Sequence, residues 1–162
     1  MVTAFMVLLL VLRWVHFLGG VAWIGTIFYL GSVQLPAMRR GKLGAMSPEY
    51  VSWLNNLMVA TSMSSVIAGV SMALILSGLN TEVFVSTVRG FWGIAILLGG
   101  MFALASLVLT FAGVIPALQR LSSPLLADSE KIPLLEKAQT WLQVTMLTGA
   151  TVLLLMASAV TL

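Results

Sequence analysis

The chain has no cysteine, one histidine, five acidic residues and eight basic ones in 162 residues. Without cysteine there are no disulfides, thiolate zinc sites, iron–sulfur clusters or cysteine nucleophiles. A single histidine confines metal or cofactor chemistry to His16, carboxylates, methionines or a second copy of the chain. Charged residues make up 8%, against about 25% in an ordinary soluble domain. So few cannot cover a folded surface, which excludes a water-soluble globular domain. Also missing are a Ser/His/Asp constellation, paired intramembrane carboxylates, a phosphate-binding glycine loop and a chain of protonatable residues suited to a pump.

What is present is apolar. Hydrophobic residues account for 60%, and the mean hydropathy is +1.09. A bilayer core needs about 20 apolar residues per helix, and four stretches qualify, at roughly 4–35, 51–78, 91–115 and 139–162. The first is too long for a signal-peptide core and is read as structure. The pI near 9.8 reflects loop charges, not a nucleic-acid surface. Arg39, Arg40 and Lys42 fall in the first loop, Arg120, Lys131 and Lys137 in the third, and Arg89 alone in the second. The positive-inside rule then places loops one and three in the cytoplasm and both termini outside a cytoplasmic (inner) membrane. Asp128, Glu130 and Glu136 alternate with lysines in loop three, the pattern of a short interfacial helix or a solvated connector.

A shift of 80 residues lays Phe17-Leu18-Gly19-Gly20 on Leu97-Leu98-Gly99-Gly100, and Pro36-Ala37-Met38-Arg39-Arg40 on Pro116-Ala117-Leu118-Gln119-Arg120. Allowing for the longer third loop, Trp53-Leu54-Asn55 meets Trp141-Leu142-Gln143, and Met58 meets Met146. The expectation is an all-α membrane four-helix bundle forming one domain. It would be built as a parallel repeat of two hairpins, residues 1–80 and 81–162. Ser65, Gly69, Ala73 and Ser77 form one small-residue packing seam, and Ala95, Gly99 and Ala103 another. Asn55 and Asn56 are expected to satisfy neighbouring backbone or each other.

At 100° per residue, Arg13, His16, Gly20 and Trp23 share an arc of about 80° on the first span. An ionisable side chain within a span normally faces protein or cofactor rather than lipid. Counted from the cytoplasmic end, His16 stands about 28 Å up, near the outer edge of the hydrocarbon. This arrangement suits heme b: an imidazole ligand in an apolar slot, room at Gly20 for a flat macrocycle, and Trp23 to pack on it. Arg13 offers a cation and a fork of donors to the propionates, with Arg89 as a second candidate. The sixth iron ligand is then the thioether of Met72, Met101 or Met156, or His16 of a second chain, or the position is open to a gas. Cu(I) is the alternative, since thioethers suit that soft ion, although the methionines are dispersed. A packing histidine, with Arg13 snorkelling to the surface, is the remaining reading.

The run His16-Phe-Leu-Gly-Gly-Val-Ala-Trp23-Ile-Gly-Thr-Ile-Phe28-Tyr29-Leu30 resembles the first helix of two related families of small membrane proteins. One is the copper-resistance D-like group, with its H-x(6)-W-x-G pattern. The other is the heme-binding, membrane-bound protoporphyrinogen oxidase family, in which a histidine is followed by Trp seven positions on and then by Phe-Tyr-Leu. The resemblance covers about 15 residues strongly, and the four-span layout more loosely. It implies that His16 corresponds to the heme-ligand histidine. The oxidase family also carries an essential lysine on a later helix, after a Trp. Here that stretch is Gly90-Phe91-Trp92-Gly93-Ile94-Ala95-Ile96, without lysine, and the 80-residue shift independently sets Ile96 opposite His16. The departure argues against porphyrinogen oxidation and leaves heme binding standing. The additional His and Met ligands expected of copper-resistance D-like transporters are missing as well.

The sequence therefore points to a small heme b-binding, cytochrome-like membrane protein, for electron transfer or for binding or converting a diatomic gas such as NO or O2. A homodimer is expected, because one histidine in a four-helix bundle has limited means of enclosing heme. Lipid and a redox partner are the other expected associates, and nucleic acid is not. The alternatives are a copper-handling protein and a structural or assembly subunit of a larger membrane complex.

Overall fold

The computed structural model describes residues 2–41, 44, 46–78, 80, 82, 83, 86 and 91–160, with side chains for all of these except 2, 3, 91, 92, 128 and 158–160. α1 (Val2–Tyr29) passes through a π-helical turn, π1 (Leu30–Gln34), into α2 (Leu35–Arg39). α3 (Pro48–Leu76) returns antiparallel to it. The second half repeats the plan with α4 (Phe91–Leu109), π2 (Thr110–Val114), α5 (Ile115–Leu121) and the long α6 (Asp128–Val160). Four segments are long and apolar enough to cross a membrane: Ala4–Arg39, Pro48–Leu76, Gly93–Leu121 and Ser129–Ala157. The protein is an all-α membrane four-helix bundle.

The first and third segments run past the ends expected from sequence because of their prolines. Pro36 and Pro116 cannot donate an N–H, and in an α-helix their rings would strike the carbonyl four residues back. Both are preceded by a π turn, in which the Leu35 N–H bonds the Leu30 carbonyl and the Ile115 N–H bonds the Thr110 carbonyl. The wider ring carries the helix past the proline. The two π turns lie at the same 80-residue shift as the sequence repeat.

A π register still leaves the Gly31 carbonyl without the N–H that residue 36 would have supplied. Gln139 fills the gap, its Nε2 donating to the Gly31 oxygen at 2.8 Å, and so ties α6 to π1. Gln139→Leu strands that carbonyl in an apolar setting and is expected to cost about 1–3 kcal/mol. Thermal unfolding in detergent reads this directly, and an unchanged midpoint would refute the assignment.

Two local expectations are corrected. The charged part of loop three is not a separate interfacial helix but the opening turns of α6, which contains Pro133. Pro133 forfeits a bond to Ser129, but Ser129 and Glu130 are exposed, so water can satisfy the freed carbonyl. Asn56 is exposed, whereas Asn55 is buried and its Oδ1 has no partner among the described residues.

α1 packs along α3, and α4 and π2 along α6, while the hairpins meet mainly through α1, π1 and α2 against α6 and through α3 against α5. Their shared core gathers Trp23, Ile27, Leu30, Met58, Leu118 and Leu142. All of these lie in the half of the bundle next to loops one and three, here termed the loop end. Toward the opposite, terminal end, no described residue of α1 before Trp23 belongs to that core. At the loop end, Arg39 and Glu136 pair at 3.3 Å across the halves, but with side chains 63% and 55% exposed the pair adds at most about 1 kcal/mol.

Candidate functional site

His16 lies on the terminal half of α1, and among the described residues α3 is the helix with which α1 packs most extensively. Small residues make that packing close. A β-carbon on Gly19 would stand 2.8 Å from the Thr61 carbonyl oxygen, and one on Gly20 3.3 Å from the Ser65 Oγ. One turn from Ser65, a β-carbon on Gly69 would stand 2.9 Å from both Nδ1 and Cε1 of His16. The imidazole therefore occupies the notch that Gly69 leaves, with its Nδ1–Cε1 edge against α3.

Hydrogen bonding fixes the tautomer. His16 Nδ1 lies 2.8 Å from the Ser65 carbonyl oxygen, which only accepts, so Nδ1 carries a proton. The Ser65 hydroxyl donates to the His16 carbonyl at 2.8 Å and lies 3.3 Å from Nδ1. In the neutral ring Nε2 is then the nitrogen with a free lone pair, and among the described residues it has no hydrogen-bond partner. A metal-bound histidine commonly has this form, with its other N–H given to a backbone carbonyl that fixes the ring and raises ligand basicity.

The remaining residues singled out from the sequence are not gathered around the imidazole. Arg13 is one turn nearer the terminal end and exposed. Gly20 faces the Ser65 hydroxyl, so the space beside it is filled by α3. Trp23 is buried in the shared core, where its Nε1–H donates to Thr110 Oγ1 at 3.3 Å, and that hydroxyl donates to the Ser106 carbonyl at 2.8 Å. Met72 is half-buried on α3, one turn beyond Gly69. Met101 is 61% exposed on α4. Met156 is half-buried between α4 and α6, its Cε 3.0 Å from where a β-carbon on Gly99 would be. Arg89 and Lys42 lie outside the described residues, as do the side chains of Phe91 and Trp92.

Sequence reasoning missed Ser65 and Gly69 as partners of His16. Both appeared in the small-residue seam of α3, but nothing in the one-dimensional pattern aligned that seam with the histidine. Among the described residues no three His, Asp or Glu side chains come together as a metal-ion site. The ligand-bearing atom the site does offer is one imidazole nitrogen, which suits a group that brings most of its own ligands, as a porphyrin does. Comparison with family models, curated proteins and solved structures finds no match to this chain.

Proposed function

We propose that the protein binds one heme b per chain through His16 Nε2, in the manner of a small membrane cytochrome, for electron transfer or for binding or converting a diatomic gas such as NO or O2. The observation that carries this reading is the Nδ1–H of His16 held at 2.8 Å by the Ser65 carbonyl, which leaves Nε2 as the free donor atom. The likeness of the His16–Leu30 run to the heme-binding, membrane-bound protoporphyrinogen oxidase family supports it from the sequence side. When bound, the iron supplies one-electron chemistry and affinity for small gases. The chain's own contributions are to orient the imidazole through Ser65, to give it room at Gly69, and to offer Arg13 to the propionates. Arg89 is a second candidate for that last role. Loops one and three face the cytoplasm in this proposal, so the site lies near the outer surface of a cytoplasmic membrane. A homodimer and a redox partner belong to the same proposal.

One observation also favours a second reading. The bond from His16 to Ser65 spans 49 residues and fastens α1 to α3, which a purely structural histidine would equally do. The visible spectrum of the detergent-purified protein, oxidised and dithionite-reduced, separates the two. A Soret band that shifts on reduction is the expected result. A folded but colourless protein refutes heme binding, and in that case copper found by elemental analysis would move the assignment to copper handling.

A further inference from the structure

We infer that Tyr29, Tyr50 and Trp53 form an aromatic platform on the first hairpin that seats in the glycerol–carbonyl layer of the phospholipid leaflet on the loop side. This surface is independent of heme at His16. The platform exists because the two like hairpins differ at one place. The 80-residue shift sets Val33 on Gly113, and the hairpin repeat sets Trp53 on Trp141. In the second hairpin Gly113 has no side chain, and Trp141 lies over it, with Cγ 2.9 Å from where a β-carbon would stand. In the first hairpin Val33 puts a branched side chain at that position, so the indole of Trp53 cannot settle against α1 in the same way. Trp53 is instead 58% exposed and stacks on Tyr50, with centroids 6.3 Å apart and planes at 20°. The Tyr50 hydroxyl donates to Oε1 of buried Gln34 at 3.0 Å, which holds the stack in place. Tyr29, one turn before Val33 on α1, is exposed as well. The residue matching Tyr50 in the second hairpin is Ala138, which is buried, so only the first hairpin carries the platform.

Lipid as the occupant follows from the level of the platform in the bundle. Trp and Tyr are amphipathic rings that collect where hydrocarbon meets headgroups. Trp53 stands one turn to the loop side of exposed Asn56, after which α3 has no charged side chain up to its end at Leu76. On α6 exposed Gln143 marks the same change, with Glu136 and Lys137 beyond it toward the loop end. A second exposed aromatic pair, Trp14 and Phe17, packs edge to face at 6.1 Å on the terminal half of α1. From Trp14 to Val33 is about 28 Å at 1.5 Å per residue, close to the hydrocarbon core of a bilayer, about 30 Å. The two aromatic levels thus bracket one membrane thickness. The competing seat would center the bilayer nearer the start of the apolar run at Ala4, leaving the platform in water. It would also draw exposed Arg13 deeper into hydrocarbon, which is costly.

The test reads Trp53 in the full chain, reconstituted in phosphatidylcholine–phosphatidylglycerol vesicles. The fluorescence lost on Trp53→Phe is the Trp53 component. A lipid nitroxide near the carbonyl end of the acyl chain is expected to quench that component at least about twofold more strongly than one near the methyl end. Val33→Gly, which opens the notch present in the second hairpin, is expected to move the component to shorter wavelength and to weaken its quenching, the difference being taken in the same background. Because the chain has no cysteine, Asn56→Cys carries a single spin label beside an intact platform. That label is expected to collide comparably with oxygen and with a water-soluble nickel chelate, whereas a label at Ile67→Cys, exposed three turns deeper, meets mainly oxygen. Quenching of Trp53 by aqueous acrylamide but not by lipid nitroxides overturns the lipid contact, as does strongest quenching from the methyl end. Protection from both quenchers means that a second copy or another protein covers the platform, and equally overturns it. An Asn56 label reached only by the nickel chelate places the platform in water, with the same result. An unchanged component in Val33→Gly refutes the steric origin of the platform.

Discussion

On the heme proposal, His16→Ala is expected to lose the parent's Soret band while remaining folded. The expectation has two separable parts. Loss of colour follows because Nε2 of His16 is the free imidazole nitrogen of the chain, and no cluster of other ligands among the described residues could replace it. Retention of the fold follows from magnitudes. Removing one hydrogen bond of this kind costs about 0.5–1.5 kcal/mol net, and the shared core that joins the hairpins begins only at Trp23. Some loosening of α1 against α3 is expected, since the Ser65 carbonyl and the Gly69 notch both lose their occupant. Ser65→Ala is the control. It deletes the hydroxyl but keeps the backbone carbonyl that holds Nδ1, so the band is expected to survive. Absorbance per chain and a thermal melt on the same samples read both parts. A full Soret band in His16→Ala would sink the assignment of the ligand.

The second large effect is on stability. Gly113→Ala is expected to destabilise the second hairpin by about 1–3 kcal/mol, the usual range for overpacking a well-filled interface. A β-carbon at Gly113 would fall 2.9 Å from Cγ of Trp141 and closer still to the six-membered ring. An indole is a rigid plate that cannot move a single atom aside, so the whole side chain or the helix must shift. The residue is also in π2, where the neighbouring Thr110 and Val114 are buried and leave little slack. Better helix propensity of Ala over Gly, about 1 kcal/mol, offsets only part of the cost. Gly25→Ala is the matched comparison, because nothing lies within 4 Å of a β-carbon built there; it is expected to be neutral or slightly stabilising. Trp141→Leu in the Gly113→Ala background is expected to recover part of the loss, since a flexible side chain can yield. Thermal unfolding of the four proteins in one detergent decides the matter, and equal midpoints for Gly113→Ala and the parent would refute the close contact.

Much of the fold was legible because hydropathy along a chain is a local property. The long apolar runs already imply four spans, and the repeated Pro-Ala-x-x-Arg and Gly-Gly pairs imply two like hairpins. Helix ends at proline were less legible. Ending the first and third spans near Pro36 and Pro116 is sound for an α-helix, but both helices continue through a π turn to Arg39 and Leu121. That outcome depends on a change of hydrogen-bond register, stabilised at Gly31 by a donor 108 residues away.

The candidate site divides in the same way. By itself the sequence determined that this is a membrane helical bundle, that it has no cysteine chemistry, and that any imidazole chemistry belongs to His16, because composition and span length need no knowledge of what touches what. Only the tertiary structure decided that His16 faces Ser65 and Gly69, that Gly20 is covered by Ser65, and that Trp23 serves the core through Thr110. The physical reason is register. Sliding α3 along α1 by one turn would leave every hydropathy value unchanged, yet would put different residues opposite the histidine.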